Sequence, residues 1–369
     1  MSSILDRVLI SKEETERRQF DPVDVVNTLL RQLSSKEADV LRRRFGLTEQ
    51  GEETLEHIGN VYQVTRERIR QIEGTSIKKI KQSSIFSDTI RPVEHVVMNV
   101  LHQYGGALTD DMLMSRLLQA NKDNLMGRKA LRFILERLLD EKIDWLAETK
   151  KQRATWSVKN PPLEFFHKMA EHLAQLITTK AVPQTFDQLY ELFKTQPFFS
   201  EHADRTSADV VLSVLHVSQL FDQNPFDEYG LASWGQIVPK RMNDRIYLVL
   251  KKHGKPMHFV EIADTITKIF KKKAYPPTVH NELILNEQYV LVGRGMYALK
   301  EWGFKAGVVA DIVADVVKRA GKPLTREEVV AEVLKQRLVK RNTVHLALTD
   351  KQRFSRTSDG KYQLVPTAT

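Results

Sequence analysis

Thr54-Leu-Glu-His-Ile-Gly-Asn-Val-Tyr-Gln-Val-Thr-Arg-Glu-Arg-Ile-Arg-Gln-Ile-Glu73 is the stretch that decides how this chain is read. It predicts two short helices joined by a tight turn, the second opening at Thr65. At about 100° per residue, Ile69, Ile72, Ile77 and Ile80 fall on one side of the second helix and belong in a core. Glu67, Arg70, Gln71, Gly74, Lys78 and Lys81 fall on the other. Thr65 suits the N-cap, where its hydroxyl accepts an orphan backbone N–H. Glu67 suits the first turn, beside the positive end of the helix dipole. On the first helix Leu55 and Ile58 share the inner face, and Gly59 allows close approach to a neighbour. This is the plan of a helix-turn-helix that lays one helix in the DNA major groove.

The outward residues have the chemistry for that task. Arg grips guanine through two acceptors, Gln pairs with adenine, and Glu accepts from cytosine N4. Lys78, Lys79 and Lys81 follow and suit phosphates. A charged helix face is more often a solvated surface. Here the apolar helix packed in front of it shifts the reading to DNA.

Leu33-Ser-Ser-Lys-Glu-Ala-Asp-Val-Leu-Arg-Arg-Arg-Phe-Gly-Leu47, followed by Thr54 to Lys81, resembles the fourth conserved region of the primary, sigma-seventy-family sigma factors of bacterial RNA polymerase. Val64 to Glu73 follows the family signature throughout, and the resemblance covers about the first fifth of the chain. It implies a module that reads the minus-thirty-five promoter hexamer and docks on the flap of the polymerase β subunit. By resemblance, Arg66, Glu67, Arg70 and Gln71 face bases and phosphates. Gln63 stands where many relatives carry Gly. A complete sigma factor has an earlier helical region that opens the minus-ten element with aromatic residues. About thirty residues precede Leu33 here, and Phe20 is their one aromatic. The expectation is a protein that does not melt a promoter alone.

The chain has 369 residues, enough for roughly two to four domains, and 41% hydrophobic content supports folded cores. No run of about 18 apolar residues suggests a membrane span. Met1-Ser-Ser-Ile-Leu-Asp-Arg7 lacks the basic start and apolar core of a signal peptide. Without cysteine there are no disulfides, thiolate metal sites or thiol nucleophiles. A cytoplasmic, nucleoid-associated protein is expected. No HExxH pattern, Walker lysine motif, Gly-x-Ser-x-Gly or Rossmann fingerprint occurs, so the chain reads as a non-enzyme without metal, cofactor or small-molecule substrate. Net charge is +9 but uneven. Val238 to Thr369 holds 25 Lys and Arg against 13 Asp and Glu, while the rest holds 31 against 34. A basic end on a near-neutral body suggests a polyanion-facing surface.

Beyond a polar link at Gln82–Pro92 the chain is repetitive. Tyr104-Gly-Gly-Ala-Leu-Thr109 parallels His253-Gly-Lys-Pro-Met-His258 and Ala320-Gly-Lys-Pro-Leu-Thr325. Each follows an apolar helical pattern and precedes a second one, with Gly as a C-cap and Thr or His opening the next helix. Thr278-Val-His280 and Thr343-Val-His345 recur 65 residues apart, as do Gly295-Met-Tyr-Ala-Leu299 and Gly360-Lys-Tyr-Gln-Leu364. A short β-prone run before each Gly predicts a two-stranded wing after three helices. The fold class read from this pattern is mainly α with small β wings, in tandem helix-turn-helix and winged-helix domains. The expected modules are 1–82 (region-four-like), 91–159, 161–236, 240–303 and 306–366. The 161–236 module has expected helices at Leu163–Ile177, Thr185–Thr195 and Arg205–Ser218. The unit from Lys240 to Gly303 resembles the HARE-type winged helix found in the polymerase delta subunit, on Val249 to His258, Glu261-Ile262, Thr278-Val279 and Gly295 to Leu299.

In the last module Lys335, Arg337, Lys340, Arg341, Asn342 and Lys351 surround Thr343-Val-His345, and its third helix is the better DNA binder of the last two. The corresponding helix of the 240–303 unit has Glu282 and Glu287 on or beside it. Lys271-Lys-Lys273 is a loop that meets phosphate or solvent. The expected DNA-binding set is Thr65, Arg66, Glu67, Arg70, Gln71, Lys78, Lys81, Lys340, Arg341 and Asn342. The expected partners are double-stranded DNA and RNA polymerase. The rival readings are a sequence-specific regulator independent of polymerase, and a winged-helix adaptor that competes with a sigma factor.

Overall fold

Polar caps set the first helices. Asp21 accepts the amides of Val23 and Asp24 at 2.9 and 3.3 Å and opens α1, Pro22–Leu30. Ser34 and Glu37 form a reciprocal capping box at the start of α2, Ser35–Arg44. Thr54 caps α3, Leu55–Tyr62, and Thr65 caps α4, Arg66–Gln82, by accepting the Arg68 amide at 3.2 Å. The turn between α3 and α4 closes on Gln63 in the left-handed conformation, φ 54°. A Cβ on Gly59 would lie 2.7 Å from the Val64 carbonyl oxygen, so this turn needs glycine there. The computed structural model describes residues 20–119, 122–305, 307–337 and 339–365. The expectation for Met1–Arg7, and the outer module limits at residues 1, 306 and 366, lie outside them.

The protein is mainly α with small antiparallel sheets. It divides into two compact units. One runs through Gln223 with Asp227–Ala232 added; the other is Asn224–Phe226 with the chain from Ser233.

In the first unit, Val40, Ile58 and Ile69 bury together with Leu55, Tyr62, Val64 and Ile72 packed around them. A second cluster joins Leu29, Leu30, Leu41, Phe45 and Ile80 to Val97, Leu101, Leu131 and Phe133. This core crosses the stretch expected as a polar link. Gln82–Pro92 is a link only as far as Ile85; α5 runs Phe86–Gln103 with Pro92 inside it. Pro92 removes one intrahelical hydrogen bond. Ile90 and Val93, 5% and 3% exposed, anchor the helix on either side of it.

From α5 onward a related pattern recurs: a helix, an extended segment, further helices and a hairpin. The first repeat is α5, β1 Ala107–Thr109, α6 Asp110–Leu117, α7 Leu125–Phe133, β2 Ile143–Leu146 and β3 Thr155–Val158. A π-helical turn, Ile134–Leu138, continues α7. The second is α8 Leu163–Lys180, β4 Gln184–Thr185, α9 Phe186–Lys194, α10 Pro197–Glu201, α11 Ala208–Val217, β5 Phe221–Gln223 and β6 Glu228–Leu231. The other unit holds the third, α12 Met242–His253, β7 Met257–His258, α13 Phe259–Phe270, α14 Pro276–Leu285, β8 Tyr289–Gly293 and β9 Met296–Leu299. The fourth is α15 Val309–Ala320, α16 Arg326–Leu334, α17 Arg341–Ala347, β10 Phe354–Arg356 and β11 Tyr362–Leu364.

Three of the four hairpins carry a third strand, and the last is two-stranded. The last hairpin strand pairs with the segment after the first helix: Leu108 with Trp156, Gln184 with Tyr229, Met257 with Tyr297, and Leu324 with Tyr362 as a single bridge. That segment is built alike in all four. Gly105, Ala181, Gly254 and Gly321 each take a left-handed φ, at 79°, 56°, 71° and 62°. Four residues later Thr109, Thr185, His258 and Thr325 each become the N-cap of the next helix, and the last three complete capping boxes with Gln188, Glu261 and Glu328. Each repeat of the second unit has its own core, one around Ile246, Val279 and Tyr297, the other around Ile312, Val329 and Val344.

Candidate nucleic-acid interface

The face of α4 follows from its buried side. Ile69, Glu73, Ser76 and Ile80 point inward. Thr65, Arg66, Glu67, Arg68, Arg70, Gln71, Gly74, Thr75 and Lys78 are exposed. Arg70 donates to both Glu67 carboxylate oxygens, from Nη2 at 2.7 Å and Nε at 2.9 Å. This bond holds the Glu67 carboxyl below its ordinary value. Arg68 donates to Gln71 Oε1 at 3.2 Å. The exposed strip therefore carries side chains already oriented one against another, with a guanidinium at three of its first five helical positions. Sequence reasoning missed Arg68, although its place in the first turn after the Thr65 cap already put it outside the isoleucine side.

The C-terminal turn of α4 behaves differently. Lys79 pairs with Glu37, and Lys81, expected at phosphate, is half-buried and pairs with Asp140 of the first repeat. The reason is geometric: Ile80 is fully buried against the second core cluster, with Lys79 beside it reaching back to α2 and Lys81 reaching the first repeat. Glu73 is another inward group. It is 9% exposed and lies 3.4 Å from both Arg44 and Arg137, and Arg137 also sits over the Phe45 ring. A carboxylate four residues from Ile69 on the apolar side was the available signal for this brace.

In the fourth repeat Lys340, Arg341 and Asn342 are exposed, with Lys340 at the N-cap of α17. Arg337, grouped with them in sequence, is not part of that surface. It is 8% exposed and donates to the backbone carbonyls of Leu291, Lys305 and Gly307. Burial lowers its guanidinium from the ordinary value. Lys335 pairs with Glu332 at 2.6 Å. Lys351 is exposed, and Lys271–Lys273 form an exposed loop.

A cavity of about 620 Å³ opens between the first and second repeats, lined by Arg128, Arg153, His216 and Tyr229 among others. Its charged groups are engaged within the fold. Arg128 is held by Asp111 and Asp123, and Arg153 donates to the carbonyls of His216, Ser218 and Phe221. His216 Nε2 lies 3.1 Å from the Tyr229 hydroxyl, and burial pushes the imidazole down and the phenol up to about 12. Among the described residues no group of His, Asp and Glu is arranged to hold a metal ion. No helix among them is long and apolar enough to cross a membrane.

Residues 29–82 match the family model of Sigma-70, region 4. Those residues are a Sigma-70 region 4 module. RNA polymerase sigma factor SigA of Microcystis aeruginosa is 45% identical over 69 residues, which cover 18% of this chain and 17% of that protein. RNA polymerase sigma factor RpoD of Neisseria gonorrhoeae is 43% identical over 68 residues, covering 18% of this chain and 10% of that one. SigA of Lactococcus lactis subsp. cremoris is 45% identical over 69 residues, with 16% and 19% covered. The chain thus spans less than a fifth of the length of these relatives. The region 4 module holds α2, α3 and α4 entire, so it contains the exposed strip of α4.

Proposed function

We propose that this protein is a bacterial transcription factor that reads promoter DNA through α4 and docks on RNA polymerase. The observation that carries this is the oriented strip from Thr65 to Lys78 inside a Sigma-70 region 4 module. On this reading Arg66, Glu67, Arg70 and Gln71 face bases and phosphates, and Lys78 faces phosphate. Polymerase contact runs through the β flap, and the protein resides with the nucleoid. Lys81 is left out of the surface because Asp140 holds it.

We read the four repeats as winged helices, 91–159, 161–236, 240–303 and 306–366, the third of HARE type. What supports this is the helix, extended segment, further helices and closing hairpin that each of them has. Lys340, Arg341 and Asn342 of the fourth add DNA contacts.

Arg70→Ala tests the base-reading claim. It is expected to cost about 1–3 kcal/mol on the preferred duplex and to relax preference there. Equal losses on preferred and scrambled duplexes would reduce Arg70 to a phosphate contact. Co-precipitation with core polymerase separates this reading from a regulator that acts without polymerase.

A further inference from the structure

The third helices of the four repeats differ in one property, an uncommitted cation. In the first repeat, α7 and its continuation carry Arg128, Lys129, Arg132 and Arg137. Each is paired within the fold: with Asp111 and Asp123, with Glu52, with Asp110 and with Glu73. In the second and third repeats α11 and α14 contain no Lys or Arg. The exposed side of α14 includes Ile284 and Leu285. In the fourth, α17 presents Arg341 and Asn342 next to Lys340, with Thr343 and a 71% exposed Leu346 on the same side. Lys351, Arg356 and Lys361 are exposed on the loop and hairpin that follow. Among the described residues Lys340, Arg341 and Lys351 form no ion pair. Three unpaired cations, Lys340, Arg341 and Lys351, with an amide and an apolar tip on one small repeat match a duplex: cations for phosphates, Asn for adenine, and Thr and Leu for the thymine methyl.

This face lies in one compact unit, and α4 lies in the other. We infer that the α17 face is a second, independent duplex-DNA site, and that one protein molecule holds two DNA segments together. The inference rests on the reading of α4 as a DNA-facing helix. Its physical consequence is bivalence. Where the two segments belong to one DNA molecule, seating α4 makes the second contact effectively intramolecular, and joint binding exceeds either site alone by roughly 10²–10⁴-fold where the spacing permits.

The test uses the full chain and two duplexes. One duplex, carrying a sequence selected by the protein from a random pool, is fixed to beads. The other is labelled and free. The protein is expected to stay on the beads and capture the labelled duplex. The variant Lys340→Ala/Arg341→Ala changes only exposed side chains and is expected to melt at the same temperature. It should remain on the beads through α4 and, having lost two phosphate-facing cations, capture about tenfold less labelled DNA or worse. Undiminished capture by the variant would assign bridging to another surface, such as self-association, and overturn the inference. Wild-type protein retained on the beads without capture would overturn it as well, and would leave the reading of α4 standing. Failure of the wild type to stay on the beads would sink both.

Discussion

Two helices 65 residues apart, α14 and α17, sit in one repeated frame and present different faces. Each buries a valine completely, Val279 in one and Val344 in the other, within the same Thr-Val-His triplet. Outside that shared knob they diverge. The solvent side of α14 shows Ile284 and Leu285; that of α17 shows Arg341 and Asn342. The burial pattern of a repeat thus settles where its helix lies and leaves its exposed positions free. A repeat count read from apolar spacing says how many such frames there are. It says nothing about which of them meet DNA.

The largest expected effect comes from the residue that ties the two repeats together. Arg337 reaches from the fourth repeat to carbonyls at Leu291, Lys305 and Gly307. Arg337→Leu takes the charged donor away from those three carbonyls. With about 1.5–3 kcal/mol for each hydrogen bond to a charged group, offset by release of a desolvated guanidinium, the second unit should lose about 3 kcal/mol. Urea unfolding of the full chain measures it. A loss below about 0.5 kcal/mol, the size expected of a surface change, would return Arg337 to the exposed set and merge it with the α17 face.

Next in size is a matched pair. Val279→Ala and Val344→Ala each remove two buried methyl groups from equivalent sites, so each should cost about 2 kcal/mol. If the frame is truly shared, the two losses agree within about 0.5 kcal/mol. A large gap between them would mean that the two triplets occupy different cores despite their spacing.

How much of this was legible in the sequence depends on how far apart the interacting residues are. The helix caps at Thr65, His258 and Thr325 act on amides two or three residues away, and they were readable. So were the isoleucine side of α4 and the exposed places of Arg66, Glu67, Arg70, Gln71 and Lys78. Lys81, Glu73 and Arg337 find their partners at Asp140, at Arg44 and Arg137, and at Leu291, all far away in sequence. For Lys81 and Arg337 no local pattern separates the engaged cation from a free one. The strand after the first helix of the first three repeats escaped because two or three residues are too few to show alternation. In the second repeat Ala181 holds a left-handed φ where the other repeats use Gly. Its Ala181-Val-Pro-Gln-Thr185 keeps the spacing of Gly254-Lys-Pro-Met-His258, and that was the signal to follow. The start of α5 was hidden by Pro92, which reads as a breaker. Burial of Ile90 and Val93 outweighs the one bond it removes.

The smallest expected effect falls on the face that sets α14 apart. Ile284 is 61% exposed and its neighbour Leu283 only 2%. Ile284→Ser exchanges residues of similar helix propensity and gives up little buried area, so stability should stay within about 0.5 kcal/mol of the parent. The same Ile284→Ser protein should bind duplex DNA with unchanged affinity and salt dependence, since the helix contributes no cation to release counterions. Arg341→Ala, at an exposed cation of α17, should instead make the log-affinity slope against log salt shallower by roughly 0.9. A weaker DNA affinity in Ile284→Ser would place the apolar helix on the duplex too. The two third helices would then differ in how they touch DNA, and the division of labour between the third and fourth repeats would have to be abandoned.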